Sequence, residues 1–425
     1  MGLLQKYIEQ QKGFGPSFPD QPISGASIFV VIPCYNEPDI VTTLNSIASC
    51  YPPHSGVSVL VVVNDADNSS DEVVARNRMT IAVMWQWKLD HPLAFFDLIV
   101  IYARALPQKW AGVGWARKIG MDEVVRQLVK NDRNDAIIVS FDADSTVMPN
   151  YLQAIESAFD RNPNCDFFTI HFEHLIDLQG ITSDIREGII RYELHMRYFR
   201  NAMLWIGYPH AIHTVGSSFA VKATSYVKQG GMNRRKAGED FYFLHKLILL
   251  GQYGNISSTT VFPAARESDR VPFGTGAALK KWIDGSADLN FTYSLEPFFH
   301  LKPLFVLAPQ FWQMNSEELD NFIGNLHPSL HSFCISMNTL QEITELKKNC
   351  SNSKVFGKRI FHLLNAFWIL KYINFAHEKP VHQAELRTES ARLLQILNIQ
   401  TDNDISLENL LYIFRNLDKN VENCG

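Results

Sequence analysis

The sequence predicts an α/β fold in which a mostly parallel central sheet is flanked by helices and followed by a mainly helical C-terminal extension. Three observations carry this. From residue 28 to about 172, short apolar runs alternate with stretches whose apolar residues recur at helical spacing. The runs are continuous in apolar character, as in strands covered on both faces. From about residue 315 onward, stretches such as "AELRTESARLLQILNI" and "SLENLLYIFRNLDKN" carry helical stripes.

Taken in order, "SIFVVIP" is the first strand, and Ile40, Val41, Leu44 and Ile47 then mark a helix. "VSVLVVVN" is the second strand. The helix "SSDEVVARNRMTIAVMWQW" follows, with Ser69 or Ser70 as its N-cap. "FDLIVIYA" is the third strand, "GWARKIGMDEVVRQLVKN" an amphipathic helix and "DAIIVSF" the fourth strand. Pro149 opens the next helix, and "CDFFTIHF" is the fifth strand. This alternation implies βαβ units with right-handed crossovers, which put ligands at the carboxyl ends of the strands. Residues 173–290 read as helix, a strand-like run near "SSFAV", a second helix after "GED" and an irregular segment from 255 to 276.

Composition narrows the function. The chain has 425 residues, is 46% hydrophobic and carries a formal net charge of −5, so it lacks the basic excess of a sequence-independent nucleic-acid binder. No stretch approaches the roughly 18 apolar residues that a spanning helix needs. "LEPFFHLKPLFVLAPQFW" reads as buried core. The six cysteines form no CxxC pair and read as reduced, which fits a cytoplasmic compartment.

The chemistry sits at the strand ends. Asp-Ala-Asp occurs twice, as Asp65-Ala66-Asp67 after the second strand and Asp142-Ala143-Asp144 after the fourth. Two carboxylates one residue apart at a turn can share a hard cation such as Mg²⁺ or Mn²⁺. The same triplet equally fits an Asx turn or a helix cap, and composition does not choose between the copies. Arg117 and Lys118 open a helix behind Gly112 and Gly114. They read either as phosphate contacts or as a solvated helix face, and for Lys118 the solvated face is the preferred reading. Glu239 and Asp240 are either a catalytic acid pair or acids favoured at a helix start. "RESDRVPFGTG" offers Arg266 and Arg270 between flexible residues, the makings of a lid. His210, His213 and His245 read as packing residues.

"VVIPCYNEP", "LVVVNDADNSSDE", "AGVGWARKIGMDE", "IIVSFDADSTVMPNYL" and "AGEDFYFLHKL" occur in the order and spacing of family 2 glycosyltransferases, and the resemblance covers about residues 26–250. It implies a GT-A fold, Rossmann-like in its sheet. It further implies a nucleotide pocket lined by Pro33, Tyr35, Asn36, Glu37, Asn64, Asp65, Arg117 and Asp142. Asp144 would hold Mn²⁺ or Mg²⁺, helped by Asp142, and Gly216 and Ser217 would flank the donor sugar under a lid carrying Arg266 and Arg270. Asp240 would be the general base, with Glu239 second.

The second-strand motif departs from the commoner Asp-Asp-Gly-Ser, which leaves the nucleotide open between UDP and GDP. No Gln-x-x-Arg-Trp motif follows the acid pair, which argues against a processive synthase. The implied reaction is metal-dependent transfer of a sugar from a nucleotide-sugar donor to a hydroxyl acceptor (a glycan, a lipid-linked species or a small molecule), with inversion as the preferred route and retention left open. The expected setting is cytoplasmic, at the inner face of the membrane if anywhere on it, in the manner of cell-envelope polysaccharide synthesis. Peripheral membrane contact and self-association are left open. Two other readings share the fold: a non-catalytic sugar-nucleotide- or partner-binding protein, and a nucleotidyltransferase, against which the lack of a Gly-rich first loop argues. The expected division is a segment 1–25, a GT-A domain 26–310 with halves 26–172 and 173–310, and a helical region 311–425.

Overall fold

The computed structural model describes residues 1–11, 25–235, 238–268, 274–376 and 384–420. In chain order the elements up to the end of the sheet are α1 (Leu3–Gln10), β1 (Ile28–Cys34), α2 (Ile40–Ala48), β2 (Val57–Ala66) and α3 (Asp71–Asp90). Then come β3 (Phe96–Leu106), α4 (Val113–Lys130), β4 (Ile137–Ser140), β5 (Thr146–Val147), α5 (Tyr151–Arg161), β6 (Phe167–Phe172) and α6 (Ser183–Trp205). The series closes with β7 (Phe219–Lys222), α7 (Ala223–Lys228), α8 (Glu239–Ile248) and β8 (Tyr253–Phe262).

The chain divides into two compact units. The first comprises Met1–Gly180, Thr214–Ala277 and Leu417–Gly425, and the second Ile181–His213 and Ala278–Asn416.

The first unit holds one sheet, ordered β3-β2-β1-β4-β7-β6-β8-β5. β1 runs parallel to β2 and β4, β2 to β3, and β6 to β8, while β7 is antiparallel to both β4 and β6. Every residue of β1 and of β6 is buried, Thr169 and His171 of β6 included, as in strands covered on both faces. With β1, β2 and β4 parallel, their carboxyl ends lie on one edge and deliver Glu37, Asn64 and the second Asp-Ala-Asp there. The mostly parallel sheet with flanking helices is the architecture expected of the sequence.

Three local expectations are corrected, on the stretch 255–276, on Lys118 and on the cysteines. The stretch 255–276 is not irregular throughout, because β8 runs from Tyr253 to Phe262. Its sequence, "YGNISSTTVF", is β-branched and polar in place of aliphatic, so an apolar-run criterion passes over it. The N-terminal segment contains α1, which buries Leu4 and Tyr7 against α4 and α7. Lys118 is not on a solvated face: it is buried, donates to Tyr7 Oη at 2.8 Å and pairs with Asp122 at 2.9 Å. Cys34, Cys50, Cys334 and Cys350 are free and buried, but Cys165 is disulfide-bonded and not reduced. Trp87 packs in the core between His91 and Phe96 and donates to Asn45 Oδ1 at 2.7 Å.

The second unit is mainly helical, as expected for the C-terminal region. α6 supplies buried Glu193, which binds Arg197 at 2.8 Å and Arg415 at 2.7 and 2.9 Å. The helix Glu296–Leu307 buries Phe298, Leu301, Leu304 and Phe305, consistent with core packing of the most apolar stretch. No helix among the described residues is long and apolar enough to cross a membrane.

Candidate active site

Three loops at the carboxyl edge of the sheet converge. The turn after β1 carries Glu37, whose side chain is 1% exposed. The turn after β4 carries Asp142 and Asp144, with side chains 33% and 29% exposed. The segment after β8 carries Arg266. Its Nη2 donates to Glu37 Oε2 at 2.5 Å and to Asp144 Oδ2 at 2.6 Å, its Nη1 to Glu37 Oε1 at 3.1 Å, and its Nε to Asp144 Oδ2 at 3.0 Å. A planar fork is suited to this kind of two-carboxylate grip. Burial works against the Arg266 charge, but the two carboxylates outweigh it and hold its pKa above the ordinary range.

A second guanidinium, that of Arg117 on α4, lies deeper. It is 2% exposed, donates to Glu239 Oε1 at 2.9 Å and pairs with Asp142. The sequence prepared this position with small residues. A Cβ on Gly216 would fall 2.5 Å from Arg117 Nη1, and one on Gly114 would fall 2.3 Å from the Arg235 carbonyl and 2.9 Å from Glu239 Cβ. Glycine at both positions allows backbone and guanidinium to close up. Ser140 Oγ donates to the Gly216 carbonyl at 2.7 Å, and Ser217 is buried beside it.

Glu239 and Asp240 start α8. Burial raises the Glu239 carboxyl against the opposing pull of Arg117, and Asp240 adds to the rise, to about 7. Asp240 is raised as well, again by burial first, with Arg117 opposing. Asp144 is raised by burial, opposed by Arg266 and reinforced by Asp142 and Glu37. Five carboxylates (Glu37, Asp142, Asp144, Glu239 and Asp240) thus face two guanidiniums in one linked group.

The first Asp-Ala-Asp has a different environment. Asp65 is buried, Tyr102 Oη donates to its Oδ2 at 2.6 Å and the Ala105 N–H to its Oδ1 at 2.7 Å. It ties β2 to β3. Asn64 and Asn36 are linked through Asn77, whose Oδ1 accepts from the Asn36 N–H and whose Nδ2 donates to the Asn64 carbonyl, both at 3.0 Å. Pro33 closes the buried end of β1, and Tyr35 is half-buried on the turn beyond it. Arg270 lies outside the described residues. His245 is held down to about 4 by burial, with its ring 4.3 Å from that of Phe241.

No group of three or more His, Cys, Asp or Glu side chains set for metal binding occurs among the described residues. The donor chemistry nevertheless fits a hard divalent cation. The two carboxylates of the β4 turn are partly exposed oxygen donors, and among the described residues the linked group holds five acids and two guanidiniums.

Sequence reasoning missed the pairing of Arg117 with Glu239, residues 122 positions apart. It also missed the support given by Lys118, Asp122, Tyr7 and Tyr226. Tyr226 Oη and Tyr7 Oη each donate to Asp122 Oδ1 at 2.7 Å. The only signal was the small-residue pair Gly114 and Gly216.

The sequence model described as Glycosyl transferase family 2 matches residues 29–216. No curated protein matches the chain. Among solved structures, S. aureus TarS 1–349 in complex with UDP-GlcNAc overlaps at TM-score 0.40 and 14% identity, over 80% of this chain and 91% of that one. The mannosyltransferase PcManGT from Pyrobaculum calidifontis, in complex with GDP-Man and Mn²⁺, overlaps at 0.34 and 14%, over 85% and 94%. Overlaps of this quality carry no argument about donor, metal or acceptor. The family match spans the strand ends that carry Glu37, Asp142 and Asp144 and the helix that carries Arg117, and the sheet beneath them is of the kind such a domain requires. Residues 29–216 of this chain thus make up a domain that matches the family 2 glycosyltransferases, built on a mostly parallel sheet with flanking helices.

Proposed function

We propose that the first unit moves a sugar from a UDP- or GDP-linked donor to a hydroxyl acceptor by direct displacement, with inversion at the sugar's C1. The observation that supports it best is the linked acid group, in which Arg117 pairs with both Asp142 and Glu239, Asp240 adds to the field at Arg117, and Asp144 pairs with Arg266. Pro33, Tyr35, Asn36, Glu37 and Asn64 form the nucleotide side, with Asp65 bracing it from behind. Asp144, helped by Asp142, would hold Mn²⁺ or Mg²⁺, which when bound would supply positive charge for the departing nucleoside diphosphate. Gly216 and Ser217 flank the donor sugar.

Asp240 takes the proton of the acceptor hydroxyl as its oxygen bonds to C1 and the bond from C1 to the diphosphate breaks. Glu239 is spent on Arg117 and positions the pair. Burial raises the Asp240 carboxyl against the opposing pull of Arg117, and a raised carboxylate is a stronger proton acceptor than an ordinary one. The test is a panel of UDP- and GDP-sugars assayed for sugar transfer and donor hydrolysis, with Mn²⁺, Mg²⁺ or a chelator. One donor turned over with metal and none with chelator is the expected result. Binding without turnover across the panel would favour a non-catalytic nucleotide-sugar binder.

The pH profile follows from the same acids. The base has to be ionised, so kcat/KM falls as pH drops through the apparent pKa of the Glu239–Asp240 pair. Burial raises both acids, which places this limb above the ordinary carboxylate value of about 4. Glu239→Gln removes a like charge and leaves more of Arg117 to Asp240, so the limb moves to lower pH. A limb that stays in place in the variant would locate the titrating group elsewhere.

A further inference from the structure

The grip of Arg266 on Asp144 bears on how a metal can enter. Two N–H groups of one guanidinium point at Asp144 Oδ2, at 2.6 and 3.0 Å, while the same guanidinium makes two further bonds to buried Glu37. The Arg266 side chain is 30% exposed and Asp144 29% exposed, so this end of the group is open to solvent on the Asp144 side, whereas Glu37 is shut in at 1%. The backbone of the segment is also held. Ser268 N–H donates to the Gly276 carbonyl at 3.2 Å, and a Cβ on Gly276 would fall 2.5 Å from Ser268 Cβ. Arg266 is therefore a placed cation, with one permanent anchor and one exposed partner.

We propose that Arg266 is the resident counter-ion of the metal site: it neutralises Asp144 until a divalent cation arrives, yields that carboxylate to the cation, and stays tethered through Glu37 beside the incoming diphosphate. This rests on the reading of Asp144 as a metal-binding residue. A hard cation sits about 2.0–2.6 Å from its oxygen ligand, so one taken up at Asp144 Oδ2 would meet both guanidinium N–H groups, and one taken up at Oδ1 would still lie close to the guanidinium charge. Two cations side by side also repel unless an anion is placed between them. Metal alone should therefore bind weakly, because it competes with Arg266. Metal with a nucleoside diphosphate should bind together, because the diphosphate gives the released guanidinium a new partner.

The test reads metal binding and not turnover. Free Mn²⁺ is followed by electron paramagnetic resonance as it is titrated with wild type, R266Q, R266K and D144A, each with and without UDP and, separately, GDP. Circular dichroism checks that each variant is folded. In wild type, nucleotide tightens Mn²⁺ binding by about tenfold or more, within the usual range of coupling between sites. In R266Q, Mn²⁺ alone binds about tenfold tighter than in wild type, and the nucleotide adds little. R266K keeps the charge but loses the fork, so it falls between the two, and it carries the test if R266Q does not fold. If R266Q and R266K bind Mn²⁺ no tighter than wild type while D144A abolishes binding, the counter-ion role is overturned and the metal site stands. If Mn²⁺ binds neither wild type nor R266Q under any condition, the metal reading fails and takes this proposal with it.

Discussion

Asp240→Asn lowers the rate of sugar transfer by about 10²–10⁴-fold, the usual contribution of a positioned general base. Nucleotide affinity stays at the wild-type value, because the substitution keeps the shape of the side chain and leaves Asp142 and Asp144 in place. The loss therefore appears in kcat. The distinction from Glu239 is geometric. Glu239 is buried, and Arg117 donates to it at 2.9 Å. Asp240 is half-buried, and its own Oδ1 accepts from the Phe241 N–H at 2.7 Å. An acid committed to a buried guanidinium is a poor proton acceptor, while one with its other oxygen available is a better one. Steady-state kinetics on Asp240→Asn and Glu239→Gln decides between them. Wild-type kcat in Asp240→Asn, with transfer lost in Glu239→Gln, would reassign the base to Glu239.

Arg117→Met costs about 3–5 kcal/mol of stability, the usual penalty for removing one partner of a buried ion pair. Methionine fills much of the arginine volume, so the cost arises from charge and not from a cavity. Burial works against the Arg117 charge, but Asp142, Glu239 and Asp240 surround it and hold it ionised. Without it, Glu239 is left as an unpaired carboxylate in the interior. Adding Glu239→Gln recovers part of the loss, because the stranded charge is then removed, so the two substitutions are strongly non-additive. Denaturant unfolding of the two single variants and the double variant measures this. A loss below about 1 kcal/mol for Arg117→Met, in the range of exposed pairs, would mean that Arg117 is solvated and not buried between the acids.

The parts of the fold that could be read from the sequence are those set by short-range patterning. β1, β2 and β4 are runs of Val and Ile bounded by polar turns, and their common burial gives them unbroken apolar character. Ser70 caps α3 as its place before "DEVV" suggests, its side chain accepting from the Val73 N–H. β8 escaped because its Ile, Thr and Val residues hold a strand through β-branching and pairing with β6, while the serines and asparagine among them dilute the aliphatic signal.

The site divides in the same way. The acids were legible because each stands at a strand or helix end in a motif of known order. Their partners were not, since Arg117 and Glu239 are 122 residues apart and Arg266 and Glu37 are 229 apart. Arg117 could be read as a phosphate contact or a surface charge. In the structure its guanidinium is engaged by two carboxylates, an arrangement that only the folded chain brings about. Lys118 shows the same effect: its neighbours in sequence indicate an exposed helix face, while α1 returns from the N-terminus to cover it with Tyr7.

The most direct test of the central claim is calorimetric titration of UDP and of GDP, each with and without Mn²⁺, into the wild-type protein and Asp144→Ala. The account predicts that one nucleotide binds, that its affinity rises with Mn²⁺, and that Asp144→Ala removes the metal dependence. Binding of neither nucleotide, or binding indifferent to both Mn²⁺ and Asp144, would contradict a metal-dependent nucleotide-sugar site at the end of β4.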